Sequence, residues 1–375
     1  MGLPNLSTLP KSPTRRQSGF EVLTGSSQAS AAQLVIRPYD DSFRTRWDSF
    51  VSANFEGTLF HSLAWKRAIE RSFGFESRYL VAEQDQKITG VLPLFLTSNW
   101  IQGRTLISTP FAVYGGICAG SGPAREALAD AACRTADEER VNYLEFREPR
   151  GELGSPFLTK KLYVTFEQPL CSDPEKIMSG FSKDTRYMIR KGQKNGLTSV
   201  ADNNLLDVFY DIYAESVRNL GTPVFPKRFF AILLEELGDA AKMIVIRRGS
   251  QALATAMCFF SHDSVTPYYV GATGEGRPLA VYNFLFWEII RSACEAGLRS
   301  FDFGRTKLGT GSYAFKTKWN MRPRPLPYQY YLVKRKSLPN FSPANPKFRI
   351  ATTIWKRIPL PVSKALGPPL VRLFP

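Results

Sequence analysis

At 375 residues, with 43% apolar side chains, the chain has material for two ordinary domains with cores of their own. No apolar run approaches the roughly 18 residues that a bilayer-spanning helix needs, and residues 1–33 lack the apolar stretch of a secretory signal, so the expected location is the cytoplasm, with peripheral contact to the inner membrane face as an option. Five scattered cysteines (118, 133, 171, 258 and 294) and only two histidines, His61 and His262, offer neither zinc-ligand spacing nor a His-based triad.

The formal charge of +16 is lopsided: residues 303–375 hold fifteen Lys and Arg and no acid, and the remainder is nearly neutral. Such a segment attracts nucleic acid, anionic lipid or phosphorylated substrates, or serves solubility alone.

Residues 1–33 are rich in Ser, Pro, Gly, Thr and Gln and predict disorder. Structure is expected from Leu34. Further on, residues 79–96 align without gaps on residues 243–260, an offset of 164. Both copies read as a hairpin, turning at Asp85-Gln86 and at Gly249-Ser250. The same offset carries the preceding helix, with Trp65 and Gly74, onto one with Phe229 and Gly238. Each copy continues with a strand (111–120; 265–273), a helix (123–139; 279–296, stopped by Gly297) and a further strand (VNYLEFRE; LRSFDFGR). That order predicts an α/β (α+β) protein in which mixed sheets are flanked by helices, with units at 34–168 and 169–336. The basic, Pro-rich tail 337–375 contains short amphipathic pieces that suit an anionic membrane surface or a partner groove, or remain disordered.

The chemistry is expected around Phe301-Asp302-Phe303-Gly304-Arg305 and Phe315-Lys316. On a strand, Asp302 points away from its two phenylalanine neighbours. It either orients and deprotonates an amine or pairs with Arg305. Lys316, a cation in an aromatic setting, is the candidate stabiliser of a developing oxyanion, with a surface lysine as the plain alternative. Tyr268, Tyr269 and Tyr313 are candidate pocket walls, although aromatic residues on strands also make cores. Arg186, Arg190 and Lys194 recur every four residues on one helix face beside Lys191, a pattern that fits an anionic partner or a solvated face.

The duplicated unit resembles a tandem GNAT-type acyltransferase, and the run from Phe301 to Arg305 with Phe315-Lys316, together with the basic helix 186–196, resembles the FemAB family. Ser108-Thr109-Pro110-Phe111, Val113-Tyr114-Gly115-Gly116 and Leu366-Gly367-Pro368 are similar to FemAB-related proteins of exosortase/PEP-CTERM exopolysaccharide systems. The resemblance implies two tandem GNAT-like domains and an amide-forming transfer of an aminoacyl or acyl group to an amine of an envelope precursor. It implies no bound cofactor. The activated donor is aminoacyl-tRNA or acyl-CoA, and the acceptor is an amine on a phosphorylated or lipid-linked molecule. The resemblance carries the family's phosphate-binding and oxyanion-type positions onto Arg190, Lys191 and Lys316 only; Arg186, Arg305, Tyr269, Tyr313 and Phe315 as substrate contacts and Asp302 beside Lys316 as catalytic are expected from the residues themselves. The family's helical hairpin for tRNA is not evident here. The run 271–278 lacks the usual order of a CoA pyrophosphate loop and places Glu275 where phosphates would sit. A non-catalytic basic scaffold is the reading from outside enzymology.

Overall fold

The computed structural model describes residues 33–148, 151–339 and 346–375; the expected disorder of the N-terminal segment lies outside them. The first half runs β1 (Val35–Pro38), α1 (Arg44–Ala53), α2 (Leu63–Phe73), β2 (Glu76–Ser77), β3 (Leu80–Gln84), β4 (Lys87–Leu92), β5 (Phe95–Asn99), β6 (Gly103–Ile107), β7 (Cys118–Ala119), α3 (Gly122–Glu138) and β8 (Tyr143–Arg147). The second runs β9 (Leu158–Pro169), α4 (Pro174–Gly180), α5 (Lys183–Lys194), β10 (Leu197–Ala201), α6 (Leu206–Leu220), α7 (Lys227–Leu237), β11 (Ala241–Arg248), β12 (Gln251–Ser261), β13 (Ser264–Ala272), α8 (Val281–Glu295) and β14 (Ser300–Asp302). There follow β15 (Thr306–Lys307), α9 (Gly311–Thr317), β16 (Arg322–Leu332), α10 (Pro346–Trp355) and α11 (Leu360–Val371).

The duplication holds down to main-chain detail. Helices α2 and α7 begin and end 164 residues apart, and each stops at a glycine with positive φ, Gly74 and Gly238. Both hairpins have two-residue turns, and Asp85 and Gln86 both take the left-handed φ that a type I′ turn demands. Each hairpin also carries a bulge at the same place, Ala82/Glu83 in one and Ile246/Arg247 in the other. The two copies of the helix pack on each other. Trp65 meets its counterpart Phe229 edge-on at 6.5 Å, and Arg67 and Arg71 donate to Glu235 and Glu236.

Among the described residues, a twelve-stranded sheet crosses both halves in the order β10-β11-β12-β13-β14-β9-β16-β8-β6-β5-β2, with β15 on β9, and a four-stranded sheet β1-β3-β4-β7 stands apart. Long β16 joins the halves because it pairs with β8 on one side and β9 on the other. The expected strand over 111–120 is largely absent: only Cys118 and Ala119 pair. The reason lies in where the main-chain groups of this stretch find partners. Arg147 donates to the carbonyls of Thr109 and Ala112, Tyr268 to that of Phe111, and Tyr328 to that of Val113. Side chains from elsewhere replace a ladder, and residues 108–117 become a wall. The tail also differs from expectation, since α11 docks on α6 with Ser363, Gly367 and Val371 buried. A Cβ at Gly367 would lie 2.5 Å from the Val224 carbonyl oxygen, so only glycine permits this approach.

Candidate active site

Strands β13 and β14 run parallel but pair only at Ser264↔Ser300 and Val265↔Phe301, after which they part. Pro267 then sits where no ladder partner needs its missing N–H, and Tyr268 is the extra residue of a bulge against β12. A cavity of about 1040 Å3 opens from this fork. Pro267, Tyr268, Tyr269 and Val270 line it from β13; Phe303, Gly304 and Arg305 line it from beyond β14; Phe111, Val113 and Arg147 close it from the first half. Residues of α9, among them Phe315 and Lys316, complete the wall.

Phe301 and Phe303 enter the second-half core, which turns Asp302 the other way, as alternation requires. The carboxylate is 5% exposed and accepts from Tyr114 Oη, Thr165 Oγ1 and, at 2.8 Å, the Gly304 amide. Burial raises its pKa above the usual carboxylate range against the pull of those donors. The expected pairing with Arg305 is not formed. Arg305 instead lies over the rings of Tyr163 and Tyr328 at 4.9 and 5.7 Å and donates to Tyr328 Oη at 3.3 Å. Asp302 stands behind Gly304 and off the cavity wall, so a direct contact with substrate gives way to a positioning role.

Lys316 reaches back from α9 across the bend at Gly304 (φ 69°), donating to the carbonyls of Phe303 (2.7 Å) and Gly304 (3.2 Å) and to Thr306 Oγ1 (2.6 Å). Its ammonium is 5.3 Å from the Phe303 ring centre. Burial lowers its pKa to about 8, opposed by the Asp302 charge. All three N–H groups are occupied, so the lysine both fastens the bend and presents its charge to the cavity.

The other expected contacts divide. Tyr268, Tyr269 and Phe315 line the cavity, and the Tyr269 hydroxyl is buried without a partner. Tyr313 does not line it: its half-buried ring packs on Phe166 at 5.5 Å, against the second-half core. Arg186 is committed elsewhere, donating to the carbonyls of Ser179 and Phe181. Arg190 and Lys191 lie exposed on α5, and only Met188 of that helix reaches the wall. Helix α5 is held against α8 at Gly192, where a Cβ would come within 2.8 Å of Phe284 Cβ.

Sequence reasoning missed Arg147. It is 4% exposed, bonded to Glu145, and placed in the wall by the last residue of β8. The signal was an arginine in an otherwise fully buried strand, a position that has to be paired. The start of α8, whose amides after Pro278 the sequence leaves free for an anion, also reaches the cavity. There Ala280 takes a left-handed φ of 64° and caps without a side chain, leaving the Val281, Tyr282 and Asn283 amides without acceptors among the described residues.

Residues 179–317 match the acetyltransferase (GNAT) domain family. The second half carries a GNAT acyltransferase domain. The crystal structure of FemX superposes with a TM-score of 0.63 at 14% identity, covering 80% of this chain and 98% of that one. The C-terminal domain of a protein assigned as a lysylphosphatidylglycerol synthetase from Agrobacterium fabrum gives 0.52 at 15% identity, covering 79% and 92%. A conserved protein of unknown function from Bacteroides thetaiotaomicron gives 0.52 at 12%, covering 80% and 100%. At these identities the likeness is one of fold alone. No curated protein sequence matches the chain significantly. Among the described residues, no helix is long and apolar enough to cross a membrane and no group of side chains has the makings of a metal site.

Proposed function

We propose that this GNAT-fold acyltransferase forms an amide in the β13/β14 fork, and that Lys316 supplies the charge that stabilises the reaction. The observation that carries the reading is the placement of a partly desolvated ammonium in the wall of a large, mainly apolar cavity at the strand fork. In the reaction a neutral acceptor amine attacks the donor carbonyl carbon. A C–N bond forms, the carbonyl oxygen becomes an oxyanion beside Lys316, and collapse breaks the bond to the leaving group, which takes up the proton given up by the amine. The contact of Lys316 with the Gly304 carbonyl, its longest, is the one an oxyanion would replace. Asp302, by holding Gly304 through its amide, fixes the bend on which Lys316 rests.

The donor is an acyl thioester of CoA or an aminoacyl-tRNA. The unoccupied amides at the start of α8 and Arg277 at the cavity edge favour a pyrophosphate there. The exposed cations of α5, Arg190 and Lys191, favour a longer polyanion. An amine acceptor in envelope or exopolysaccharide assembly rests on the sequence resemblance. The exposed Ile350, Ile354, Val362 and Leu366 of α10 and α11, with Lys356, Arg357 and Lys364 among them, suit peripheral contact with an anionic bilayer.

The test is transfer from a panel of acyl-CoAs and aminoacyl-tRNAs to amine acceptors, followed by mass spectrometry, with Lys316→Ala as control. The variant is expected to keep its circular dichroism spectrum and lose roughly a hundred- to thousand-fold in kcat/KM, the range for removing one oxyanion donor. Full turnover by the folded variant would remove Lys316 from the mechanism.

A further inference from the structure

Two guanidinium groups face the same end of the cavity. Arg147 and Arg305 lie 5.9 and 5.7 Å from the centre of one ring, that of Tyr328. Arg147 has spent most of its donors: Nε bonds to Glu145 Oε1 at 3.0 Å, and Nη1 to the carbonyls of Thr109 and Ala112. Only Nη2 is left for the cavity, and the main-chain oxygen of Pro375 accepts from it at 2.7 Å. Arg305 has no carboxylate partner among the described residues, because Asp302 is held by Tyr114, Thr165 and Gly304. With Lys316 and Arg277, four cations line the space, and among the described residues Glu145 is the single acid bonded to any of them. A cavity with that imbalance favours an anion, since charge-assisted bonds are about twice as strong as neutral ones.

The surroundings say what else the ligand carries. Next to Arg147 the wall is formed by Phe111 and Val113, and it continues through Leu220, Phe225, Val371 and Phe374. That surface gains nothing from a fully hydrated anion and rewards an apolar chain attached to one.

We propose that Arg147 and Arg305, bracketing Tyr328, form a subsite for the carboxylate or phosphate head of a substrate with an apolar chain, and that residues 372–375 occupy this subsite in the structure. The Pro375 oxygen stands where one oxygen of the head would bind, and Phe374 where the chain begins. Substrate entry then displaces the segment. Entry has to break the bonds that the Leu373 carbonyl accepts from Gln102 Nε2 at 2.6 Å and Asn99 Nδ2 at 3.4 Å and those that the Leu373 and Phe374 amides donate to Leu370 and Val371, while Val371 stays anchored in the core. As a substrate subsite the proposal rests on the transferase reading, but its ligand binding can be measured without turnover.

Calorimetric titration of the full chain with decanoate, decyl phosphate and decanol tests it. The anionic amphiphiles are expected to bind at least ten-fold more tightly than decanol, and whichever anion is tighter names the head group. Arg305→Gln, on an open part of the wall, is expected to weaken them at least ten-fold and leave decanol unchanged. Replacing residues 372–375 by Gly-Ser-Gly-Ser is expected to tighten them about five-fold, with thermal melting as the check on folding. Decanol binding as tightly as decanoate, or indifference to Arg305→Gln, overturns the subsite. Acyl transfer without that discrimination sinks the subsite alone, whereas decanoate binding with no transfer from any donor sinks the transferase reading alone.

Discussion

The two halves share a plan and treat its central gap in opposite ways. In the second half β13 and β14 part and leave a cavity. In the first half their counterparts, β7 and β8, have separated into different sheets, and the space between them is filled. Glu148, 1% exposed just after β8, accepts from the Ile117 amide and from Arg125 at the start of α3, and Arg125 also binds Glu56. A Cβ at Gly116 would lie 2.8 Å from the Glu148 carboxylate, which shows how little room remains. The helix start that offers unoccupied amides in one half is thus capped by the Ser121 hydroxyl in the other, and a side chain of its first turn, Arg125, holds the Glu148 carboxylate. One copy has become a filled support, and the support lends residues 108–117 and Arg147 to the working copy.

Three experiments sharpen or break this contrast. The largest effect is expected from Arg125→Ala, which removes one cation from two carboxylates, the buried Glu148 and the part-buried Glu56. Denaturant titration should show a loss of about 3–5 kcal/mol, with turnover per folded molecule unchanged; a defect in turnover itself would mean that the first half takes part in the chemistry. Next comes Ser312→Trp, an exposed wall position of α9, which fills the second gap as the first is filled. Ligand affinity should fall at least ten-fold with the melting temperature within a few degrees, and undiminished affinity would place the substrate elsewhere. The smallest is a pH effect. Lys316 is charged below about pH 8, so kcat should be halved near that pH and decline above it. The descending limb should move upward in Lys316→Arg. Because the folded pKa lies below the ordinary lysine value of 10.5, the unfolded chain holds the extra proton between pH 8 and 10.5, and this group's contribution to stability rises with pH across that window.

Much of the frame was legible. The 164-residue offset located α2, α7, both hairpins and even the equivalence of Gly74 and Gly238, because helix stops and turn residues act locally. The side-chain direction of Asp302 followed from strand alternation. What could not be read was partnership across the fold. Residues 111–120 have the composition of a strand, and only the positions of Arg147, Tyr268 and Tyr328 decide that their carbonyls are satisfied otherwise. Arg305 chose two tyrosine rings over the neighbouring Asp302 because β16 and β9 bring Tyr328 and Tyr163 beneath it. Arg186 and Tyr313 have the right periodicity for a site and were claimed by nearby carbonyls and by Phe166.

Helix α2 rests on α7, its own duplicate, through equivalent positions, Trp65 on Phe229 and Arg71 on Glu235, with the arginines on α2 and the glutamates on α7. Such a contact is what a two-fold homodimer would make if its subunits were later fused end to end. Fusion removes the demand that both partners stay identical, so one partner could surrender its catalytic opening to become scaffolding without any loss of assembly.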